Sequence, residues 1–145
     1  METLKLKYSI KDGDFSTAGN ASSHIKKNLK MLGIDALLIK KMVVSIYEAE
    51  VNMIAHAHGG NIEVIIDEEK IMAIIADVGP GIPDIDQAMQ KGFTTASEEV
   101  RQMGFGAGMG LPNIKKNSDE LNIESVIGQR TTLRILSYYK SKDES

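Results

Sequence analysis

Two short runs of mainly β-branched residues lie close together in the middle of the chain, and they constrain the fold more than any other feature. The runs cover residues 62–66 and 71–75, and the polar segment 67–70 separates them. Apolar runs of this length on either side of a short polar segment are typical of a β-hairpin. Because neither run alternates strongly with polar residues, both strands are expected to be substantially buried. The sequence therefore predicts a central sheet built around this hairpin.

A strand and two helices are predicted before the hairpin. Residues 4–10 alternate apolar with polar side chains, which is the period-two pattern of a half-buried strand. Helical periodicity then extends over about residues 16–32 and about residues 36–57, and the second of these is the longest predicted helix. Gly33 is placed to end the first helix, and Asp35 is placed to cap the second.

The C-terminal half is predicted to add a loop, two helices and two strands. Two glycines and two prolines in residues 77–84 interrupt the hairpin's second strand, and residues 92–108 show no sustained periodicity, as expected of a functional lid. The other segments are a short helix around 85–90, a helix over about 109–121, strands over 122–127 and 132–138, and a polar tail over about 140–145. This order predicts one domain over residues 1–145. Its expected fold is an α/β (α+β) two-layer sandwich, with helices on one face of a mixed, mostly antiparallel sheet.

The composition excludes several classes of function. The 145 residues carry 17 basic and 20 acidic side chains, and the lysines are scattered, so no nucleic-acid partner is expected. The absence of cysteine removes disulfides, thiolate metal sites and cysteine nucleophiles. No segment approaches the roughly 20 apolar residues that cross a bilayer, and the N-terminus lacks the apolar core of a signal peptide. We therefore expect a soluble, cytoplasmic protein that does not associate with a membrane.

Glu48 and Asn52 are four residues apart on the longest predicted helix, so they project from nearly the same face. An amide oxygen suits Mg²⁺, and a carboxylate can accept a proton from a nucleophile. A solvated polar face is the alternative interpretation of this pair. Glu50 is close in sequence, but residues two apart point away from each other on a helix, so it is not expected to join the pair.

Asp77 follows an apolar strand and is itself followed by Gly79 and Gly81. A carboxylate at a strand end, beside backbone without side chains, can receive a flat ligand and accept a hydrogen bond from an exocyclic amine such as that of adenine. A plain turn of the form Asp-x-Gly is the alternative.

A run of alternating glycines from Gly104 to Gly110 stands immediately before a predicted helix. Backbone N–H groups of such a loop, together with the start of the helix, are suited to bind phosphate. The run contains no Gly-Lys-Ser/Thr, and a charged loop instead of a strand precedes it, so neither a P-loop nor a dinucleotide fold fits. A flexible hinge is the alternative interpretation.

Taken in this order, the three motifs resemble the nucleotide-binding boxes of the GHKL ATPase superfamily. Residues 48–52 with His56 resemble the N box, residues 77–81 the G1 box, and residues 104–110 the G2 box. The small size and the Glu-Ala-x-x-Asn form are similar to those of the anti-sigma-factor serine kinases and the switch serine kinases of stress-response complexes. The resemblance spans about residues 35–136 and implies the Bergerat ATP-binding fold.

The resemblance implies ATP and Mg²⁺ as cofactors and a role for each matching residue. Asn52 would hold Mg²⁺ against the phosphates, Asp77 would bind the adenine amine, and Glu48 would be the catalytic base that deprotonates a serine. Thr131 would support the Asp77 end of the site, and Arg101 would help to neutralise phosphate charge. The implied glycines are Gly79 and Gly81 beside the adenine, and Gly104, Gly106, Gly108 and Gly110 around the phosphates.

The resemblance also implies partners. A kinase of this type would phosphorylate a serine on a STAS-domain anti-anti-sigma protein and so regulate transcription by partner switching. It would bind a sigma factor as a further partner and could form a homodimer through its first helix. Two other functions fit the same motifs. One is an ATP-gated protein-binding module with little turnover, and the other is a detached histidine-kinase ATP-binding domain, for which His24 is the histidine on the first predicted helix.

Overall fold

The computed structural model describes residues 3–11, 18–56, 59–78, 110–126 and 130–139. Within them the chain forms β1 (Leu4–Ile10), α1 (Asn20–Met31), α2 (Ala36–His56), β2 (Gly60–Ile66), β3 (Lys70–Val78), α3 (Gly110–Lys116), β4 (Glu120–Val126) and β5 (Arg130–Tyr138). Each of these was expected from the sequence as a helix or a strand. The helix predicted around 85–90, the lid at 92–108 and the polar tail lie outside the described residues.

The five strands form one sheet in the order β1-β2-β3-β5-β4, so β3 is its central strand. All four described pairings are antiparallel, which confirms the prediction of a mostly antiparallel sheet. The predicted hairpin is formed by β2 and β3. Asp67 stabilises its turn by accepting hydrogen bonds from the backbone N–H groups of Glu69 at 2.8 Å and Lys70 at 2.9 Å.

The helices pack on one face of the sheet, as the two-layer prediction requires. Five buried apolar residues of α2 recur at spacings of three and four, which is the pattern of a helix face turned toward a core. These residues are Ile39, Met42, Ile46, Ala49 and Met53, and they form one cluster with Ile25 and Leu29 of α1, Ile114 of α3 and the buried strand residues. None of the described helices is both long and apolar enough to span a membrane.

The strand register arranges the helix-facing side chains in rows that cross the sheet. Two rows are apolar or aromatic: Leu6, Val64, Ala73, Ile135 and Leu121, and then Tyr8, Ile62, Ile75, Leu133 and Ile123. The next row consists of Ile10, Gly60, Asp77, Thr131 and Ser125. Successive residues of a strand point to opposite faces, so these rows, two residues apart, share the helix-covered face. The apolar face therefore ends in a polar row centred on Asp77.

The predicted end of the first helix and the predicted start of the second are both confirmed. After α1, Gly33 has a φ of 73°, its N–H donates to the carbonyl of Lys30, and the N–H of Ile34 donates to the carbonyl of Leu29. This is the Schellman arrangement, in which glycine adopts a left-handed conformation. Asp35 Oδ2 accepts hydrogen bonds from the N–H groups of Leu37 and Leu38, so it caps α2 as expected.

The third helix is shorter than predicted. The sequence pattern predicted a helix over about 109–121, but α3 ends at Lys116 and β4 already begins at Glu120. Asp119 makes the turn by pairing with β5, because its N–H donates to the carbonyl of Leu136 and its Oδ2 accepts from the N–H of Tyr138 at 2.7 Å. Leu121, the last residue of the predicted helix, instead packs against the core from β4.

Candidate functional site

Asp77 lies near the end of the central strand, on the face that the helices cover. Its Oδ1 accepts a hydrogen bond of 2.9 Å from the backbone N–H of Thr131, its partner residue on β5. Thr131 is buried, and its hydroxyl lies 3.2 Å from the hydroxyl of Ser125 on β4. The described residues donate no hydrogen bond to Oδ2 of Asp77, so none of them competes with a ligand for this oxygen.

The charge of Asp77 is held in a partly desolvated position. Burial raises the pKa of its carboxyl group, and the hydrogen bond from Thr131 opposes this effect only in part. A carboxylate in such surroundings gains more from a hydrogen-bond donor than one in water, because little solvent competes for it. Asp77 is thus suited to accept a hydrogen bond from a ligand amine.

Gly60 lies directly beside Asp77 in the pairing of β2 with β3. A β-carbon added to Gly60 would lie 2.7 Å from the Cα of Asp77 and closer still to the carbonyl oxygen of Ala76. Only glycine allows the two backbones to approach in this way. Sequence reasoning did not single out Gly60, because its meaning depends on the register that places it against Asp77.

Glu48 and Asn52 lie one turn apart on α2, as predicted, and both side chains are half-buried. α2 packs against β3. The chain then passes from the end of α2 at His56 to Gly60, which pairs with Asp77. The C-terminal part of α2 is therefore at the same end of the sheet as Asp77.

Glu48 is hydrogen-bonded to a residue that sequence reasoning missed. Asn113 Nδ2 on α3 lies 3.3 Å from Glu48 Oε1, and α3 packs against α2. The two residues are 65 positions apart, so no local pattern links them.

Glu50 serves a different purpose from Glu48. Its side chain is 1% exposed, and its carboxylate accepts hydrogen bonds from the backbone N–H groups of Gly19 at 3.1 Å, Ala21 at 3.3 Å and Ser22 at 3.2 Å. No side chain of α1 caps its own N-terminus, so Glu50 satisfies donors that the helix start leaves free. Its negative charge also faces the positive end of the helix dipole. As its spacing predicted, Glu50 points away from the Glu48 and Asn52 pair.

These groups fit ATP with Mg²⁺. Asp77 offers an acceptor for an amine, and Asn52 offers an oxygen to a hard cation. No cluster of three or more histidine or acidic side chains occurs in the described parts of the chain that could hold a metal ion by itself. Mg²⁺ commonly takes one or two protein oxygens together with the phosphates of a nucleotide, so a single amide ligand is compatible with it.

The remaining predicted site residues fall largely beyond the described ranges. Gly110 is the first residue of α3. The residues outside the described ranges are Gly79, Gly81, Arg101, Gly104, Gly106 and Gly108. Their roles stay predictions.

Comparison with known proteins gives a match to a family and to several relatives. The family described as histidine kinase-like ATPase domain matches residues 14–136. An anti-sigma F factor of Caldanaerobacter subterraneus subsp. tengcongensis is 37% identical over 105 residues, which cover 69% of this chain and 70% of that protein. The serine/threonine-protein kinase RsbT of Bacillus subtilis is 31% identical over 125 residues, which cover 83% of this chain and 88% of that kinase. An anti-sigma F factor of Thermoanaerobacter sp. (strain X514) is 37% identical over 108 residues, which cover 71% of this chain and 72% of that protein.

The matched region includes α2 and β3 and extends to residue 136 of β5. These elements carry Glu48, Asn52, Asp77 and Thr131. The matches confirm the resemblance to GHKL ATPases of the anti-sigma and switch-kinase type. The antiparallel sheet with helices packed on it is the Bergerat fold that this resemblance implied. The chain belongs to the histidine kinase-like ATPase domain family.

Proposed function

We propose that this chain is an ATP- and Mg²⁺-dependent serine protein kinase of the anti-sigma-factor type, acting in the cytoplasm through partner switching. The observation that carries the proposal is the pairing of a half-buried carboxylate, Glu48, with a half-buried amide, Asn52, one turn apart on α2. The names of the relatives, an anti-sigma F factor and a serine/threonine-protein kinase, support it.

In this proposal the nucleotide is held between the sheet and α2. Asp77 accepts a hydrogen bond from the adenine amine, and Thr131 holds Asp77 in place through its backbone N–H. Gly79 and Gly81 leave room for the base. Gly60 keeps β2 close to β3 at this point, so that the floor of the site is backbone.

The phosphates are bound at the other end of the site. Asn52 coordinates Mg²⁺, and the four glycines and Arg101 surround the phosphates; the glycines are Gly104, Gly106, Gly108 and Gly110. ATP supplies the transferable γ-phosphoryl group, and Mg²⁺ neutralises part of its charge. This assignment places Gly110, the first residue of α3, beside the nucleotide.

Glu48 acts as the general base. It takes the proton from a serine hydroxyl on the partner as that oxygen attacks the γ-phosphorus and the bond from phosphorus to the ADP oxygen breaks. The partner we propose is a STAS-domain anti-anti-sigma protein, and a sigma factor is a further partner. The chain can also act as a homodimer.

A histidine-kinase role for the domain has less support. His24, the histidine that this role would use, accepts or donates a hydrogen bond of 2.6 Å with the hydroxyl of Tyr8, and the two rings meet edge to face. This contact uses only Nδ1 of the ring. What counts against the role is Glu48, because the ATP-binding half of a histidine kinase commonly lacks such a carboxylate.

The proposal is tested by incubating the chain with labelled ATP and a purified STAS-domain partner. Phosphoserine is expected on the partner, and Glu48→Gln is expected to abolish it while leaving ATP binding unchanged. The matched control is Glu69→Gln, which makes the same chemical change at an exposed position in the β2–β3 turn and is expected to retain transfer. Transfer at the wild-type rate by Glu48→Gln would contradict the assigned base. Intact ATP binding with no transfer by the wild-type chain would indicate an ATP-gated binding module instead.

A further inference from the structure

Asn113 contacts the residue to which we assign catalysis, although no motif includes it. Its Nδ2 lies 3.3 Å from Oε1 of Glu48, and both side chains are half-buried. A carboxylate can only accept a hydrogen bond, so the amide must present its NH₂ group to Glu48 and keep its own oxygen turned away. The contact therefore has a fixed direction.

The contact differentiates the two oxygens of Glu48. Oε1 is occupied by the amide of Asn113, so Oε2 is the oxygen that remains for a proton from an incoming hydroxyl. A general base must stand within hydrogen-bond reach of the proton it removes, and a misplacement of about 1 Å can lower a rate roughly 100-fold. A single hydrogen bond that fixes the carboxylate is thus of direct kinetic value.

We propose that Asn113 is a positioning residue that orients the carboxylate of Glu48 for proton abstraction. The inference rests on the proposed kinase function and names a further residue of the same site. Asn113 does not touch the transferred group. It acts through Glu48, and it does so from α3, whereas Glu48 itself lies on α2.

A purely structural role in joining α2 to α3 is the competing explanation, and Asn117 provides a control for it. Asn117 lies one turn further along the chain, and its Nδ2 donates to the backbone carbonyl of Asn113 at 2.9 Å. It thus makes an amide hydrogen bond of similar kind at the end of the same helix, without reaching Glu48. Replacing it tests the stability of α3 alone.

The experiment compares Asn113→Ala, Asn113→Asp and Asn117→Ala in phosphorylation of the STAS-domain partner. Asn113→Ala is expected to lower kcat roughly 10- to 100-fold with little change in KM for ATP. Asn113→Asp places two carboxylates together, so the acidic limb of the kcat profile is expected to move to higher pH. Asn117→Ala is expected to keep the wild-type profile, even if its Tm falls.

Two results would overturn the inference. One is a loss of kcat in Asn113→Ala that is matched by Asn117→Ala, and the other is an Asn113→Asp profile without displacement. A second measurement does not need turnover: the side-chain ¹⁵NH₂ resonances of Asn113 are expected to move in Glu48→Gln, because the acceptor of their hydrogen bond changes. Absence of transfer by the wild-type chain would refute the kinase proposal, whereas unchanged side-chain resonances of Asn113 in Glu48→Gln would refute the role of Asn113.

Discussion

A β-carbon on Gly60 would stand 2.7 Å from the Cα of Asp77, with which Gly60 pairs across β2 and β3. Gly60→Ala must therefore separate the strands or shift the backbone of Asp77. Forcing extra atoms into a packed site costs about 1–3 kcal/mol, and we expect a loss of unfolding free energy in that range. We also expect weaker ATP binding, since the carboxylate moves with its backbone. Urea unfolding and titration with a fluorescent ATP analogue measure the two effects.

Gly33→Ala is the control for this variant. Gly33 has a φ of 73°, but a β-carbon there would meet nothing within 4 Å. Its replacement costs about 1–2 kcal/mol from the left-handed backbone alone, and it lies at the end of α1, away from Asp77. Stability should fall while nucleotide affinity stays unchanged. Equal losses of affinity in both variants would show that Gly60 acts only through global stability.

Asp77→Asn is expected to change stability in a pH-dependent way. Burial raises the pKa of Asp77, so the folded protein holds this proton more tightly than the unfolded chain. Its stabilising effect is present in acid and is lost as pH rises from the ordinary aspartate pKa through the raised folded value. The asparagine variant should thus gain stability relative to wild type across this interval and keep a constant gain above it. Urea unfolding at a series of pH values from about 3 to 7 provides the comparison.

Asp67→Asn should show the opposite sign. Hydrogen bonds from the backbone N–H groups of Glu69 and Lys70 hold the pKa of Asp67 below its ordinary value. The stability it contributes is therefore present above the ordinary aspartate pKa and lost as pH falls through the lowered folded value. Its asparagine variant should be less stable than wild type near neutrality and approach it in acid. If the stability of both variants followed the same trend with pH, the direction assigned to at least one of the two pKa shifts would be wrong.

Glu50→Gln is expected to destabilise α1. In the wild-type protein both carboxylate oxygens accept hydrogen bonds from the N–H groups of Gly19, Ala21 and Ser22. In the variant an NH₂ group replaces one of these oxygens, and because it is a donor it cannot accept from the N–H groups that it faces. Leaving buried donors unsatisfied costs about 1–3 kcal/mol. Amide hydrogen exchange should accelerate in the first turn of α1 before other helices are affected. Glu69→Gln, at an exposed turn position, should leave exchange in α1 unchanged.

Asn52→Ala tests the assigned Mg²⁺ ligand. If the amide oxygen of Asn52 coordinates the metal, the variant loses affinity for Mg·ATP but keeps most of its affinity for ATP with the metal chelated. Calorimetric titration with and without chelator separates the two. Asn61→Ala, at an exposed position on β2, should bind both forms as wild type does. An equal loss of both affinities in Asn52→Ala would mean that the residue contacts the nucleotide without the metal.

Local patterns were sufficient to predict most elements of the fold. Apolar periodicity identified each described strand and helix, and Gly33 and Asp35 marked the helix ends because caps act within a few residues of the chain. The predicted end of α3 was wrong because Leu121 fits the apolar face of a helix and that of a strand equally well. Only its pairing with β5 decides between the two.

The candidate site was predictable only where its residues form short motifs. Glu48, Asn52 and Asp77 could be singled out in this way, and the structure gives their surroundings. The roles of Gly60, Glu50 and Asn113 could not be predicted, since each depends on a contact with a distant segment. Register and helix packing decide those contacts, and no periodicity in the sequence encodes them.

The Glu50 carboxylate also limits how small a working fragment of this domain can be. A chain shortened to begin at Asp35 would retain the Glu48, Asn52 and Asp77 motifs, yet it would strip Glu50 of the three N–H groups that it binds in α1. Removal of α1 would also uncover the apolar residues of α2 that cluster with Ile25 and Leu29, and exposing buried apolar surface to water is unfavourable. The nucleotide-binding half therefore cannot be excised as an autonomous module, and a minimal expression fragment must keep the first helix with the second.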